Sequence, residues 1–403
     1  MEPLTRQLEE LKRKLARIDA KWAQPAPEPR EARALEGREV ETAAGRHWEM
    51  DRVWPARARH GNADIGALSE MPEDLLTVLD PEAGPRAPCG RWAFLDTETT
   101  GLAGGSGTLA FLTGVGWITE HGFVLRQYFL REHGEEASAL TALAELLAGF
   151  DILVTYNGKA FDQPLLETRY VLSRIRPPFA RLKHVDLLYS ARRLWRLALD
   201  SCRLKELEAR VLGVERQGDP DGSLIPNLYF AWLRARDAGP LLPVFEHNAL
   251  DILSLACLTG VVPYAFQNPQ GLKNGAEMVG LARWLRNEGR LDEAAELMRE
   301  SLRRRLPDAL MWETLWHLAD VERKLGRQDA ALAAWSELST ANNPWRAQAY
   351  ERLAVHYEHR EKNYGMALEM TRAALQLGED EALRKREARL ARKAGGGRTG
   401  RLL

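Results

Sequence analysis

Arg91-Trp92-Ala93-Phe94-Leu95-Asp96-Thr97-Glu98-Thr99-Thr100-Gly101-Leu102 is the stretch whose reading decides the fold of this chain. Residues 92–95 form a short apolar run, which reads as a buried central strand. The run ends in two carboxylates spaced Asp-x-Glu, and a Thr-Thr-Gly turn follows. Alternate residues of an extended strand point to one face, so Asp96 and Glu98 are expected to project together. Two carboxylates on one face repel unless a shared proton or a cation lies between them. A hard, oxygen-seeking divalent ion is the natural occupant. Among 57 acidic residues in 403, an acid-x-acid pair arises by chance about eight times, so the pair alone says little. The apolar strand before it and the turn after it favour a metal role over a solvated turn.

Downstream, Gly104-Gly105-Ser106-Gly107 makes a flexible turn. Residues 108–118 and 123–131 are apolar and aromatic runs parted by Glu120-His121-Gly122, the pattern of a β-hairpin. Residues 137–150 carry helical periodicity, and residues 152–156 read as another buried strand. Helices are expected over residues 161–173, 185–197, 204–212 and 241–258, which gives a mixed α/β arrangement. In Tyr156-Asn157-Gly158-Lys159-Ala160-Phe161-Asp162 a strand ends in Asn-Gly and a helix begins near Asp162. Neighbouring strand ends of an α/β sheet place their following residues in a common crevice. In Glu246-His247-Asn248-Ala249-Leu250-Asp251 the histidine and aspartate lie four apart on one helix face. A histidine there can take a proton from water held at a metal that the carboxylate binds. Taken singly, Asp162 reads equally as a helix cap, and His247 with Asp251 as an ordinary helix pair. The joint order of the three patterns is what carries weight. Asp186, in His184-Val-Asp-Leu-Leu188, reads as a cap or supporting residue rather than a fifth acid.

Upstream the signals are weaker. Leu4, Leu8, Leu11, Leu15, Ile18 and Trp22 make one apolar stripe on a helix, suited either to a coiled coil or partner or to folding back on the chain's own body. Pro25, Pro27 and Pro29 then make an extended linker. Short strands over residues 39–42 and 47–54 and a helix over 71–79 are expected, with His47 and His60 as structural or surface residues. Beyond Pro263 the character changes. Gly289-Arg-Leu-Asp-Glu-Ala294, Gly326-Arg-Gln-Asp-Ala-Ala331 and Lys362-Asn-Tyr-Gly-Met-Ala367 recur at intervals of 37 and 36 residues. That period marks an α-solenoid of tetratricopeptide type, and such arrays usually bind protein or peptide.

Composition sets outer limits. The net charge of −1 argues against a chain-wide basic surface, while 56 Lys and Arg leave room for a local basic groove. Three scattered cysteines, Cys89, Cys202 and Cys257, suit a reducing cytoplasm better than a disulfide framework or a structural zinc site. A start that is charged within ten residues predicts no signal peptide, and no uninterrupted apolar stretch long enough to span a bilayer occurs, so no membrane is expected. The phosphate loop of ATP-driven enzymes and the Gly-x-Ser-x-Gly elbow are both missing from the sequence.

Asp96-Thr-Glu98, Asp162 and His247-x-x-x-Asp251 resemble the three motifs of the DEDD (DnaQ-like) 3′–5′ exonucleases of ribonuclease H-like fold. The resemblance is closer to the YprB-like ribonuclease H-like proteins of bacteria, in which a comparable domain precedes tetratricopeptide-like helices. It rests on Asp96-Thr-Glu-Thr-Thr-Gly-Leu102, Gly107-Thr-Leu-Ala-Phe-Leu112, His184-Val-Asp-Leu-Leu188 and His247-Asn-Ala-Leu-Asp-Ile-Leu-Ser-Leu255. It implies an α/β, ribonuclease H-like mixed sheet flanked by helices, followed by an all-α repeat domain. The expected divisions are an amphipathic helix (1–24), a linker and small irregular region (25–88), the exonuclease domain (89–266), the repeats (271–393) and a disordered tail (394–403). The resemblance further implies that Asp96, Glu98, Asp162 and Asp251 bind two divalent cations, Mg²⁺ or Mn²⁺, with His247 as the general base. Thr99, Leu102, Asn157 and Phe161 would receive the terminal nucleotide. Superfamily members that use histidine usually have four residues between it and the last aspartate. The three-residue spacing here usually carries tyrosine, so His247 fills a tyrosine-type slot. The expected function is a cytoplasmic, metal-dependent nuclease, a 3′–5′ exonuclease on single-stranded DNA or RNA, with a possible protein partner on the repeats. A ribonuclease H-like endonuclease and a catalytically inert nuclease-fold scaffold are the alternatives.

Overall fold

The computed structural model describes residues 35–70, 79, 87–101, 107–272 and 274–395. The expected N-terminal helix and proline linker, the expected helix over 71–79 apart from Leu79, Leu102, residues 104–106 of the glycine-rich turn and the tail beyond residue 395 lie outside them. The strands are β1 (Arg38–Thr42), β2 (Gly45–Pro55), the short pair β3 (Arg59–His60) and β4 (Ala63–Asp64), β5 (Trp92–Thr99), β6 (Ala110–Thr119), β7 (Gly122–Phe129), β8 (Ile152–Thr155) and β9 (Lys183–Asp186). All but β3 and β4 join one seven-stranded mixed sheet in the order β1-β2-β7-β6-β5-β8-β9. Strands β5, β8 and β9 run parallel, with Trp92 opposite Ile152 and Thr155 opposite Asp186, so their carboxyl ends share one edge.

Alternation along β5 sorts its residues between two cores. Trp92 and Phe94 belong to one face, packed on helix α6 (Leu242–Gln267) and helix α3 (Leu187–Trp195). Ala93 and Leu95 belong to the other, covered by α1 (Glu136–Leu147), α2 (Asp162–Leu172) and α5 (Ile225–Ala235). Between α3 and α5 come the four-residue α4 (Leu204–Leu207) and a π-helical turn, Glu208–Leu212, where one continuous helix is expected from the pattern. The residue Gly213, at φ 69°, ends that turn in the left-handed region that glycine adopts without a Cβ clash.

Two further expectations are corrected. Val185 and Asp186 are not helical but end β9. Lys183-His-Val-Asp pairs in parallel with β8, and the amphipathic pattern of α3 runs on across the junction and hides it. Helix α6 does not stop at Leu258 but continues through Pro263 to Gln267. An internal proline costs a helix about 3 kcal/mol, and here burial of Val262, Pro263 and Ala265 holds the helix together. By length and composition α6 would suit a bilayer. Its apolarity has a simpler source, because it lies between the sheet and further helices and buries most of its surface.

After α6 the chain is helical: α7 (Gly275–Asn287), α8 (Leu291–Leu302), α9 (Asp308–Lys324), α10 (Gln328–Thr340), α11 (Arg346–His359), α12 (Tyr364–Leu377) and α13 (Glu381–Gly395). Successive helices pack on one another as a run of hairpins. The recurring motif marks the turn within each pair, where Gly289, Gly326 and Lys362 all take positive φ (80°, 76° and 55°). The helical region does not stand apart from the sheet. Leu281, Trp284 and Leu285 of α7 share a core with Trp195 and with Leu255 and Val262 of α6.

Candidate active site

The carboxyl edge of the parallel strands carries the acidic residues. Asp96 and Glu98 follow Trp92 and Phe94 onto the face that α6 covers, and a bulge between Glu98 and Thr99 ends the regular pairing with β6. Helix α6 presents His247, Asn248 and Asp251 to them. Asn248 is fully buried and donates from Nδ2 to Asp96 Oδ2 at 2.9 Å, while Gln127 Nε2 donates to its Oδ1 at 2.8 Å. The glutamine thus settles which end of the amide faces the aspartate. The approach needs Gly114 on β6, since a Cβ there would lie 2.4 Å from Asn248 Oδ1 and 2.3 Å from Ile252 Cδ1.

Asp162 arrives from the other side of the sheet, at the start of α2. Thr97, which alternation turns away from Asp96, donates its hydroxyl to Asp162 Oδ1 at 2.6 Å. The turn before Asp162 is held by Asp186, whose carboxylate accepts from the Asn157 amide (2.7 Å), the Lys159 amide (3.1 Å) and the Leu188 amide (3.1 Å). Asp186 is therefore the cap of α3 and the clamp of the turn that carries Asp162. Asn157 takes φ 66°, a left-handed conformation that asparagine tolerates.

His247 has a carboxylate on each side. Its Nδ1 lies 2.7 Å from Asp219 Oδ1, and its Nε2 lies 3.7 Å from Glu98 Oε1 and 3.6 Å from Asp251 Oδ2. Burial pushes the Asp219 carboxyl up, but hydrogen bonds with His247 and Lys205 and the charge of Arg216 outweigh that and hold the pKa below the usual range. An ionised Asp219 only accepts, so Nδ1 carries the proton and donates. Nε2 is then left to face Glu98 and Asp251. Arg216, nearly inaccessible at 3% side-chain exposure, ion-pairs with both Asp251 and the buried Glu208. Burial works against its charge, and the two carboxylates more than restore it, so its pKa stands above the ordinary arginine value.

The electrostatic consequence is an excess of negative charge. Burial first, then the charges of Asp251, Asp162 and Glu98, push Asp96 well above the usual carboxylate range. Burial, Asp251 and Asp162 do the same to Glu98. Asp162 is raised to about 6, chiefly by burial. These side chains face one another across the strand end, yet each aspartate has an oxygen committed, to Asn248, Thr97 or Arg216. Among the described residues no three His, Cys, Asp or Glu side chains are already set in metal-holding geometry.

Of the remaining sequence candidates, Thr99 donates its hydroxyl to the Gly101 carbonyl at 2.9 Å. Asn157 is half-buried in its turn, Phe161 stands 59% exposed beside it, and Leu102 lies outside the described residues. Sequence reasoning passed over Thr97, Gln127, Asn248, Arg216 and Asp219. Thr97 sits within the motif but on the opposite face. Arg216 and Asp219 occupy an aperiodic loop whose only signal is the Asp219-Pro-Asp-Gly222 turn chemistry.

A model of the RNase H superfamily matches residues 93–262, the stretch from the central strand to the last turns of α6. The chain is also similar to YprB of Bacillus subtilis (strain 168), an uncharacterized protein. The two are 34% identical over 311 residues, 74% of each chain. That alignment is longer than the superfamily match, so the likeness extends beyond the sheet-bearing part. The chain thus carries an RNase H superfamily domain and belongs to the family of YprB.

Proposed function

We propose that the protein is a divalent-cation-dependent nuclease that hydrolyses phosphodiester bonds, and that it removes nucleotides from a single-stranded 3′ end. The observation that carries this reading is the group of carboxylates at the sheet edge, where burial and then neighbouring negative charge push Asp96 and Glu98 well above the usual carboxylate range, beside a histidine whose far nitrogen is held by Asp219. The donor set suits two hard cations such as Mg²⁺ or Mn²⁺. Asp96, Glu98, Asp162 and Asp251 would hold them, each aspartate through an oxygen not committed to Asn248, Thr97 or Arg216. When bound, the cations supply Lewis acidity to the scissile phosphate and to the attacking water.

The chain's own residues supply the rest. Asp219 keeps the proton on Nδ1, so His247 Nε2 is free to accept the proton of the attacking water. Arg216 offsets part of the charge on Asp251 and restrains its orientation. Asn248 restrains Asp96 in the same way. The exposed Phe161 ring offers a stacking surface for the terminal base, which Asn157 and Thr99 would help to receive. We read the helical hairpins as tetratricopeptide-like.

The test is incubation with end-labelled single-stranded DNA and RNA in Mg²⁺, Mn²⁺ or chelator. Stepwise release of nucleotides from the 3′ end, abolished by chelator, is the expected result. Internal fragments from an RNA–DNA hybrid would replace the exonuclease reading with an endonuclease. No cleavage by the wild type with either cation would reject catalysis and leave an inert scaffold.

A further inference from the structure

A groove lies where α3 meets α7, between the sheet-bearing part and the hairpins. Tyr189, Arg192, Arg193 and Arg196 occupy positions i, i+3, i+4 and i+7 along α3 and its last turn, hence one face, and all four are exposed. The opposite wall is α7, which contributes Arg283, Trp284 and Asn287 to a cavity of about 520 Å³. Gly280 lets the two helices close beneath it, since a Cβ there would lie 2.5 Å from the Leu194 carbonyl oxygen.

Its charge is not neutralised from within. Arg192, Arg193 and Arg196 have no carboxylate at ion-pair distance among the described residues. Arg193 instead lies over the Trp284 ring, 5.0 Å from its centre. Arg283 pairs with Glu313 at 2.8 Å but keeps a buried Nε without a hydrogen-bond partner among the described residues. One turn on, burial and then the charge of Arg283 depress the pKa of Arg286. In a chain of net charge −1 this is a marked local excess of positive charge.

Helix α3 leads from the active-site edge to the groove. Helix α3 begins at Asp186, the residue that clamps the turn before Asp162. Arg192 lies close enough to Tyr156 and Cys202 for its charge to act on both, and the Tyr156 hydroxyl donates to the Cys202 carbonyl. From Tyr189 to Arg196 the face runs roughly 10 Å along the helix axis, at about 1.5 Å per residue. An aromatic ring at the near end and guanidinium groups beyond it match a strand with a base to stack and phosphates to bind. An acidic peptide would answer the arginines but leave Tyr189 unused.

We propose that the groove between α3 and α7 binds the phosphate backbone of the nucleic-acid strand that leads away from the active-site edge. This deepens the nuclease reading and rests on it for the strand's direction, though binding itself can be tested without catalysis. The affinity of a labelled single-stranded oligonucleotide is measured in chelator over a series of salt concentrations. Each phosphate neutralised on a single strand contributes about 0.7 to the slope of log affinity against log salt. The doubly substituted Arg192→Ala/Arg196→Ala protein is expected to lose about 1.4 from that slope. Arg192→Lys/Arg196→Lys keeps the charge and is expected to keep the slope.

Cleavage gives the second reading. A dinucleotide carries one phosphodiester, which hydrolysis would place at the carboxylates with none left for the arginines, so its hydrolysis is expected to be unchanged in the alanine variant while that of a longer strand falls. If the wild type cuts nothing, the nuclease reading fails, and the salt slope still decides the groove. An unaltered slope in the alanine variant overturns the proposal, as does an equal loss on dinucleotide and long strand. Binding of polyglutamate in place of the oligonucleotide, lost in the same variant, would overturn it in favour of an acidic protein partner.

Discussion

At the scale of single residues, the site divides labour between charge and proton transfer. His247→Ala should lower hydrolysis by about 10²–10⁴-fold, the usual contribution of a positioned base, while cation and nucleic acid still bind. Asp96→Ala should weaken cation binding as well, and isothermal titration beside cleavage rates separates the two outcomes. Full activity in His247→Ala would remove the base assignment. Asp162 gives an independent reading through pH. Its pKa is raised from 3.8 to about 6 in the folded chain, so the folded state binds the proton more tightly than the unfolded one. The cation-free protein therefore loses stability as pH rises through this window, and above it the penalty is roughly 3 kcal/mol at 1.36 kcal/mol per pKa unit. Asp162→Asn should melt higher than wild type at pH 7.5 in chelator, with the gap closing towards pH 4. A gap that stays constant with pH would show that Asp162 is not the strained group. The carboxylates and His247 could be singled out in the sequence because each belongs to a local pattern: Asp96 and Glu98 close a strand, Asp162 opens a helix, and His247 and Asp251 lie one turn apart within another. Asn248, Arg216 and Asp219 were not, because their meaning comes from Gln127, Glu208 and His247, partners that only the folded chain brings near.

At the scale of elements, the approach of α6 to β6 sets the position of two of the three acidic groups on that face. Gly114 and Gly116 leave the space that Asn248 and Ile252 fill, and a Cβ at Gly116 would lie 2.7 Å from Ile252 Cγ2. Gly114→Ala should destabilise the protein by about 1–3 kcal/mol, the usual cost of forcing atoms into a filled core. It should also move Asn248 from Asp96. Adding Ile252→Val removes the Cδ1 methyl and so relieves one of the two clashes with little cavity left behind, so melting temperature is expected to recover in part while activity does not. Recovery of both would mean that Asn248 has no part in placing Asp96. Elements were legible where period and length agreed, as for β5, the β6–β7 hairpin and α1. The strand β9 was not, because four residues of Lys-His-Val-Asp show too little alternation to stand against the helical pattern beside them. The repeat was legible because its glycines mark a backbone need rather than a packing preference. Gly289 and Gly326 both turn through positive φ, and Lys362 takes the same turn with a Cβ.

At the scale of the whole molecule, the question is whether the hairpins are an attachment or part of the fold. The core that begins at Trp92 and Phe94 runs through α6 to Leu281, Trp284, Leu285, Met298 and Val321 without a break. Trp284 is 2% exposed, and its ring meets Phe266 edge-on at a centroid distance of 4.8 Å. Removing such a side chain typically costs 3–5 kcal/mol, because the hole it leaves closes only in part. If the core is shared, that cost falls on the sheet as well as on the hairpins. Calorimetry of the wild type should then show the sheet and at least α7 and α8 unfolding in one transition. Trp284→Ala should lower the temperature of that transition as a whole, and a probe on the sheet, such as amide hydrogen exchange of β5 and β6, should follow it. Two well-separated transitions, with only the later helices shifted by Trp284→Ala, would make the hairpins an independent body. In that case the two walls of the arginine groove would move relative to each other. Its affinity for a strand would then carry the entropy cost of closing it, which a shared core avoids.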